Sequence, residues 1–127
     1  MEYILYLNPR PFEAIKKGTK KIEGRTPTEH NKHISFDKIK KGDFLIFINN
    51  ETQEKMKTKV LGVRHYSNVR KMLETEGVEN VLSSKSTIEE GIRNYNKFRD
   101  YKNNIKKFGI YAIEIKPIKL KKVADIK

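Results

Sequence analysis

Apolar and polar positions set out alternating strands and helices along the first half of the chain. Residues 3–7, YILYL, form an apolar, aromatic-rich run of strand length. Asn8 can cap a following helix and Pro9 suits its first turn. Phe12 and Ile15 then share one helix face, and Gly18 stands where a left-handed C-terminal residue is wanted. Residues 20–25, KKIEGR, read as a second strand with Ile22 as its only apolar side chain. If Ile22 faces the core, strict alternation sends Lys21, Glu23 and Arg25 to the other face and separates Lys20 from Glu23.

Residues 26–41 are a long polar connection with Ile34 and Phe36 as apolar anchors. The Lys41-Gly42-Asp43 turn leads into Phe44–Ile48, apolar on both faces and so a central strand. After a turn at Asn49-Asn50-Glu51, residues 55–66 predict a long partner strand with a bulge at Gly62. Ser67 can cap a helix carrying Val69, Met72 and Leu73 that stops near Gly77. Ser86-Thr87-Ile88-Glu89 fits a capping box, with Ile88, Ile92 and Tyr95 as the stripe behind it. Residues 98–107 are polar and aromatic, and 108–116 read as a last strand with Phe108 in the core. The tail 116–127 adds a possible edge strand, limited by Pro117. The order is α+β: a small barrel with flanking helices.

The chain has 127 residues, the length of one domain, and no cysteine, which leaves no disulfide framework and no thiolate zinc site. The start is too short and polar for a signal peptide, and no apolar run reaches membrane-spanning length, so a cytoplasmic protein is expected. Net charge changes the picture. It is +12, and it is uneven: +6 over residues 1–66, zero over 67–101 and +6 over 102–127. Charge gathered at both ends of the chain points to one basic face and a polyanionic partner. KKGTKKIEGR, residues 16–25, places five cations and one carboxylate around a glycine turn.

With these residues in hand, the chain resembles the ASCH domain family. Leu5-Tyr6-Leu7, Gly18-Thr19-Lys20-Lys21-Ile22-Glu23-Gly24-Arg25 and Lys40-Lys41-Gly42-Asp43 follow that family's strand, G-x-K-x-x-E-x-R and K-x-G-D pattern, and Val63–Tyr66, Ser86–Phe98 and Phe108–Ile113 continue it. The resemblance covers residues 3–116 and implies one PUA-like domain over 1–127. Its expected fold is a small barrel of about five or six mixed strands with two or three flanking helices. It has a cleft beside the helix that follows the first strand. The family is associated with RNA binding; a few members are enzymes, among them small acetylcytidine amidohydrolases and a ribonuclease.

On this reading Lys20, Lys21, Glu23, Arg25, Lys40 and Lys41 border a cleft for RNA, a nucleotide or another small anionic ligand. Arg25 can fork onto a phosphate or a base edge, and Glu23 can orient it. The enzymatic alternative, a hydrolase acting on RNA or a modified nucleoside, would use Lys20 and Glu23 as its catalytic pair. The amidohydrolases use a Lys after the glycine turn, a Thr three residues later and a downstream Glu. Lys20 matches the first, Glu23 occupies the Thr position, and Glu74 or Glu76 would be the third. No cofactor, metal or membrane partner is expected. Glu29, His30 and His33 lack the metalloprotease spacing. Tyr95, Phe98 and Tyr101, interleaved with Arg93, Lys97, Arg99 and Lys102, either stack on unpaired bases or pack the last helix onto the barrel.

Overall fold

The computed structural model describes residues 1–118. YILYL lies within β1 (Glu2–Leu7), and Asn8 leads into α1 (Pro9–Lys17), which ends on Gly18 at φ +86°. Gly18 there returns its N–H to the last turn, so the chain reverses sharply towards β2 (Ile22–Arg25). The polar connection contains two 3-10 turns, Glu29–Asn31 and Phe36–Lys38. Ile34 and Phe36 are buried as their apolar character requires, and Ile39 joins them. β3 (Phe44–Asn49) and β4 (Lys55–Tyr66) form an antiparallel pair. In β4 the register against the last strand slips between Val60 and Gly62, as the glycine suggested.

Helices α2 (Val69–Glu76), α3 (Val78–Val81), α4 (Ile88–Lys97) and α5 (Tyr101–Phe108) precede β5 (Ile110–Pro117). The five strands lie in the order β1-β3-β4-β5-β2; β1 runs parallel to β3, and the other pairings are antiparallel. The result is a curled half-barrel of α+β type, with β1 and β2 as its two edges. The strand number agrees with the expected barrel. The helices outnumber the expected two or three because α3 and α5, of four and eight residues, are too short to stand out along the chain.

Several boundaries move. Asn68, not Ser67, caps α2, accepting from Lys71 N–H at 2.8 Å. The capping box expected at Ser86–Glu89 falls one residue later, with Thr87 and Glu90 exchanging bonds of 3.0 and 3.1 Å. Phe108 ends α5 half-exposed instead of entering a strand, and Gly109 at φ +75° makes the turn into β5. The expected edge strand beyond Ile118 lies outside the described residues.

Two apolar clusters hold the sheet. One joins Leu5, Leu7, Phe12, Ile15, Phe36 and Phe47 beneath α1 and the polar connection. The other joins Ile22, Met72, Leu73, Val81, Tyr95 and Ile110 between β2, β5 and the four-helix segment. Neither cluster closes the seam between edge strands β1 and β2.

Candidate functional site

A cavity of about 740 Å³ occupies that seam. Ligand pockets typically measure about 300–1,000 Å³. Its walls are β1 with the start of α1 (Ile4–Asn8, Arg10), β2 (Glu23–Arg25), the turn around His30 and His33, the Val81–Ser84 segment, and the end of α4 with the following loop. The cleft therefore lies beside the helix after the first strand, where the family resemblance placed it.

Its floor is a buried ion triad. Glu23 Oε2 accepts from Arg25 Nε at 2.6 Å, and Glu23 Oε1 lies 3.3 Å from Lys20 Nζ. Lys20 also donates to the Ile22 carbonyl at 2.6 Å and to the Val81 carbonyl. Lys20 and Glu23 are only 4% and 6% exposed. Burial pulls the Lys20 pKa down, against the pull of Glu23. Burial also acts to raise the Glu23 pKa, but Arg25 and Lys20 together outweigh it and hold the carboxyl below its usual value. For Arg25, burial works against the cation and Glu23 more than offsets it, so its proton is held more tightly than usual.

Arg25 also reaches across the seam. Its Nη2 donates to the Tyr6 carbonyl at 3.0 Å, so one side chain links the two free edges of the half-barrel. Nη1 has no protein partner among the described residues, and it belongs to a side chain that lines the cavity. Gly24 makes room for this floor: a methyl group on it would stand 2.5 Å from the Tyr95 hydroxyl and 3.2 Å from Met72.

Glu23 and Arg25 share a face opposite Ile22, as strand alternation demands. Lys20 and Lys21 do the reverse of what was expected. β2 begins only at Ile22, so the two lysines are not in strand register; Lys21 N–H bonds the Asn80 carbonyl and Lys20 N–H the Ala14 carbonyl. Lys20 turns in to meet Glu23, while Lys21 is exposed and does not line the cavity. The charge cluster of residues 16–21 is dispersed as well, since Lys16 pairs with Glu54 at 2.6 Å. Lys40 and Lys41 do not border the cleft. They precede the first residue of β3, whereas the cleft lies at its far end, beside Asn50. Glu74 and Glu76 are also outside it; Glu76 is held by Arg64 at 2.5 Å and by the Tyr66 hydroxyl.

The rim brings in residues that the sequence reading did not single out: Tyr6, Arg10, Asn94 and Ser84. Arg10 had one local signal, a cation in the first turn of a helix, where the backbone dipole disfavours it. Lys97, Phe98 and Arg99 line the rim too, whereas Tyr95 is buried. Phe98 is 49% exposed and packs against Tyr101 with ring centroids 5.3 Å apart. All three aromatics of the triplet line the cavity, but only Phe98 is exposed. Glu29 pairs with Lys32, and no group of three or more His, Asp or Glu is placed to hold a metal among the described residues. No helix of the described residues is long and apolar enough to cross a membrane.

Comparison with known proteins agrees with this architecture. No curated protein matches the chain. The crystal structure of hypothetical protein PH0355 is 44% identical, with a TM-score of 0.77 over 93% of this chain and 100% of that one. The solution structure of protein PF0455 from Pyrococcus furiosus is 40% identical, with a TM-score of 0.70 over 94% and 100% of the two chains. A mutant of ZmASCH from Zymomonas mobilis shares the fold at 16% identity, with a TM-score of 0.59 over 99% and 78%. The ASCH domain family model matches residues 5–119. With that match spanning nearly its whole length, the chain belongs to the ASCH domain family.

Proposed function

We propose that the seam cleft binds RNA or a nucleotide, with an unpaired base or a phosphate engaged by Arg25. One observation carries this reading: a guanidinium locked at Nε and Nη2 by Glu23 and Tyr6 keeps Nη1 without a protein partner on the cleft wall. A fixed fork of donors suits a planar acceptor edge or a phosphate, and its ordering is supplied in advance by Glu23. The charge of the walls supports an anionic ligand. Arg10, Lys97 and Arg99 line the cleft, and the only acidic lining residue among the described residues, Glu23, is already paired. Lys20, with its ammonium donors directed to Ile22, Val81 and Glu23, acts by holding Glu23 in place.

The same geometry favours binding over hydrolysis. The pair Lys20 and Glu23 does meet, which alternation had argued against. However, a carboxylate flanked by two cations is a weak base, and a lysine bonded to three acceptors has no lone pair to offer. The position of the family's threonine nucleophile is Glu23, and neither Glu74 nor Glu76 lines the cleft.

Fluorescence anisotropy with labelled single-stranded RNA, duplex RNA and DNA, each across a salt series, tests the reading. Arg25→Ala should weaken single-stranded RNA by about 5- to 150-fold, the loss of one good forked contact. Arg25→Lys, which keeps charge but loses the fork, should recover only part of it. Unchanged affinity in a folded Arg25→Ala protein would remove Arg25 from the binding site.

A further inference from the structure

Lys40 and Lys41 lie outside the cleft, and the fold places them beside another basic group. The solvent face of the sheet can be read from its register. Across β1, β3 and β4 it forms three rows: Glu2, Phe44 and Lys59; Ile4, Ile46 and Lys57; Tyr6, Ile48 and Lys55, of which Ile48 is itself buried. β5 extends the first row with Lys116, the cross-strand partner of Lys59. Lysines at every second residue of β4 stand about 7 Å apart on one face. The Lys40-Lys41 turn adjoins the same end, because Gly42 N–H bonds the Val60 carbonyl.

Like charges placed directly opposite destabilise a sheet. Lys59 and Lys116 are both exposed, and neither has a carboxylate within 4 Å among the described residues; the same holds for Lys55, Lys40 and Lys41. Nearby acids are engaged elsewhere: Glu2 with Lys57, Asp43 with the N-terminal amine, and Glu114 with Arg64. Beside the lysines lie exposed apolar side chains, Ile4 at 49% and Tyr6 at 59%, and Lys57 covers the Phe44 ring at 4.5 Å. Tyr6 belongs to both places, since it lines the cleft and stands on this face.

We propose that the outer face of the sheet is a second nucleic-acid surface, which takes the backbone of a single strand as it leaves the cleft past Tyr6. Lys55, Lys59 and Lys116, with Lys40 and Lys41 beyond them, contact phosphates spaced along the strand, and Tyr6 offers a ring to an unpaired base. The proposal rests on the nucleic-acid reading of the cleft and extends its footprint. Charge complementarity selects the partner: a row of unpaired lysines beside apolar side chains suits a strand with accessible bases more than a duplex.

The test compares a trinucleotide with a 20-nucleotide uridine RNA and a 20-base-pair duplex, each titrated across a potassium chloride series. The proteins are wild type, Lys59→Ala/Lys116→Ala, Lys116→Glu and Arg25→Ala. For the double variant, the slope of log affinity against log salt for the long strand should fall by about 0.7 per lysine, and so by about 1.4. Its trinucleotide affinity should stay at the wild-type value. Lys116→Glu should raise the melting temperature, by giving Lys59 a partner, and still weaken the long strand. An unchanged slope overturns the outer-face proposal, while loss of trinucleotide binding in Arg25→Ala would keep the cleft reading intact. A reduced slope with trinucleotide binding that ignores Arg25→Ala supports the outer face and removes the cleft reading. An equal loss of slope on the duplex overturns the single-strand assignment.

Discussion

Glu23→Ala is expected to cost about 3–5 kcal/mol of stability, because it leaves Lys20 and Arg25 buried together with no counter-charge. A domain of this size has about 5–15 kcal/mol in total, so the change consumes a large part of it. Denaturant unfolding measures the loss directly. Its pH dependence identifies the cause. In the wild type the Glu23 pKa is depressed by its neighbours, so the unfolded chain binds its proton first on acidification. The carboxylate's contribution is present above the unfolded value near 4.5 and is lost as pH falls through the lower folded value. Lys20 carries the opposite sign. Its folded pKa is lowered, so the cost of its charge is felt below that value and disappears as pH rises towards the unfolded 10.5. Without Glu23 the lowering deepens. The variant should therefore regain stability between neutral and alkaline pH, where the wild type changes less. A flat alkaline limb would mean that Lys20 leaves the cavity floor and reaches water.

A triple variant separates the triad's structural part from its binding part. Lys20→Met/Glu23→Leu/Arg25→Met removes every charge and keeps apolar volume. Such replacements are often neutral or stabilising by about 1–4 kcal/mol relative to the ion pair. Recovery of stability without recovery of RNA binding is the expected result. It would show that the charges are held for the ligand and that the fold does not depend on them.

How far the sequence discloses this site depends on locality. Ile22 against Glu23 and Arg25 is a two-residue pattern, and the strand keeps it. Lys20 and Lys21 lie before the strand begins, where Gly18 and hydrogen bonds to Ala14 and Asn80 set the chain direction, so alternation has no hold there. Strands β1, β3 and β5 were legible from their own apolar runs, β4 from its alternation, and β2 from Ile22 between turn residues. α5 was not: Tyr101, Ile105 and Phe108 make a stripe of only two turns, and Asp100 before it makes no side-chain cap, so no start signal marks it. The rim was legible least. Tyr6, Arg10 and Arg99 converge only because β1 and β2 end up as the two edges of one curled sheet, and no local pattern encodes that closure. The lysines at 40 and 41 show the converse: a motif can mark a family while its side chains lie outside the cleft.

Phe98→Ala is expected to weaken single-stranded RNA by about 5- to 150-fold, the value of one base stacked on an aromatic ring. Phe98 is half-exposed and lines the cleft, with Lys97 and Arg99 on either side of it in sequence. Its other contacts are ring packing with Tyr101 and, at 6.3 Å, an edge contact with Tyr95. Those are worth about 1 kcal/mol of stability, so the folded state survives the change. Binding and stability should thus separate, in contrast to Glu23→Ala, where both fall. Phe98→Leu sharpens the assignment. Leucine keeps apolar area but has no π face, so it should preserve the melting temperature and still lose most of the affinity. Phe98→Trp should restore or exceed wild-type binding. Duplex RNA, whose bases are unavailable for stacking, should respond to none of the three. If leucine binds like phenylalanine, the contact is apolar coverage of the cleft mouth, and the ligand end that reaches it is a sugar or another non-planar group.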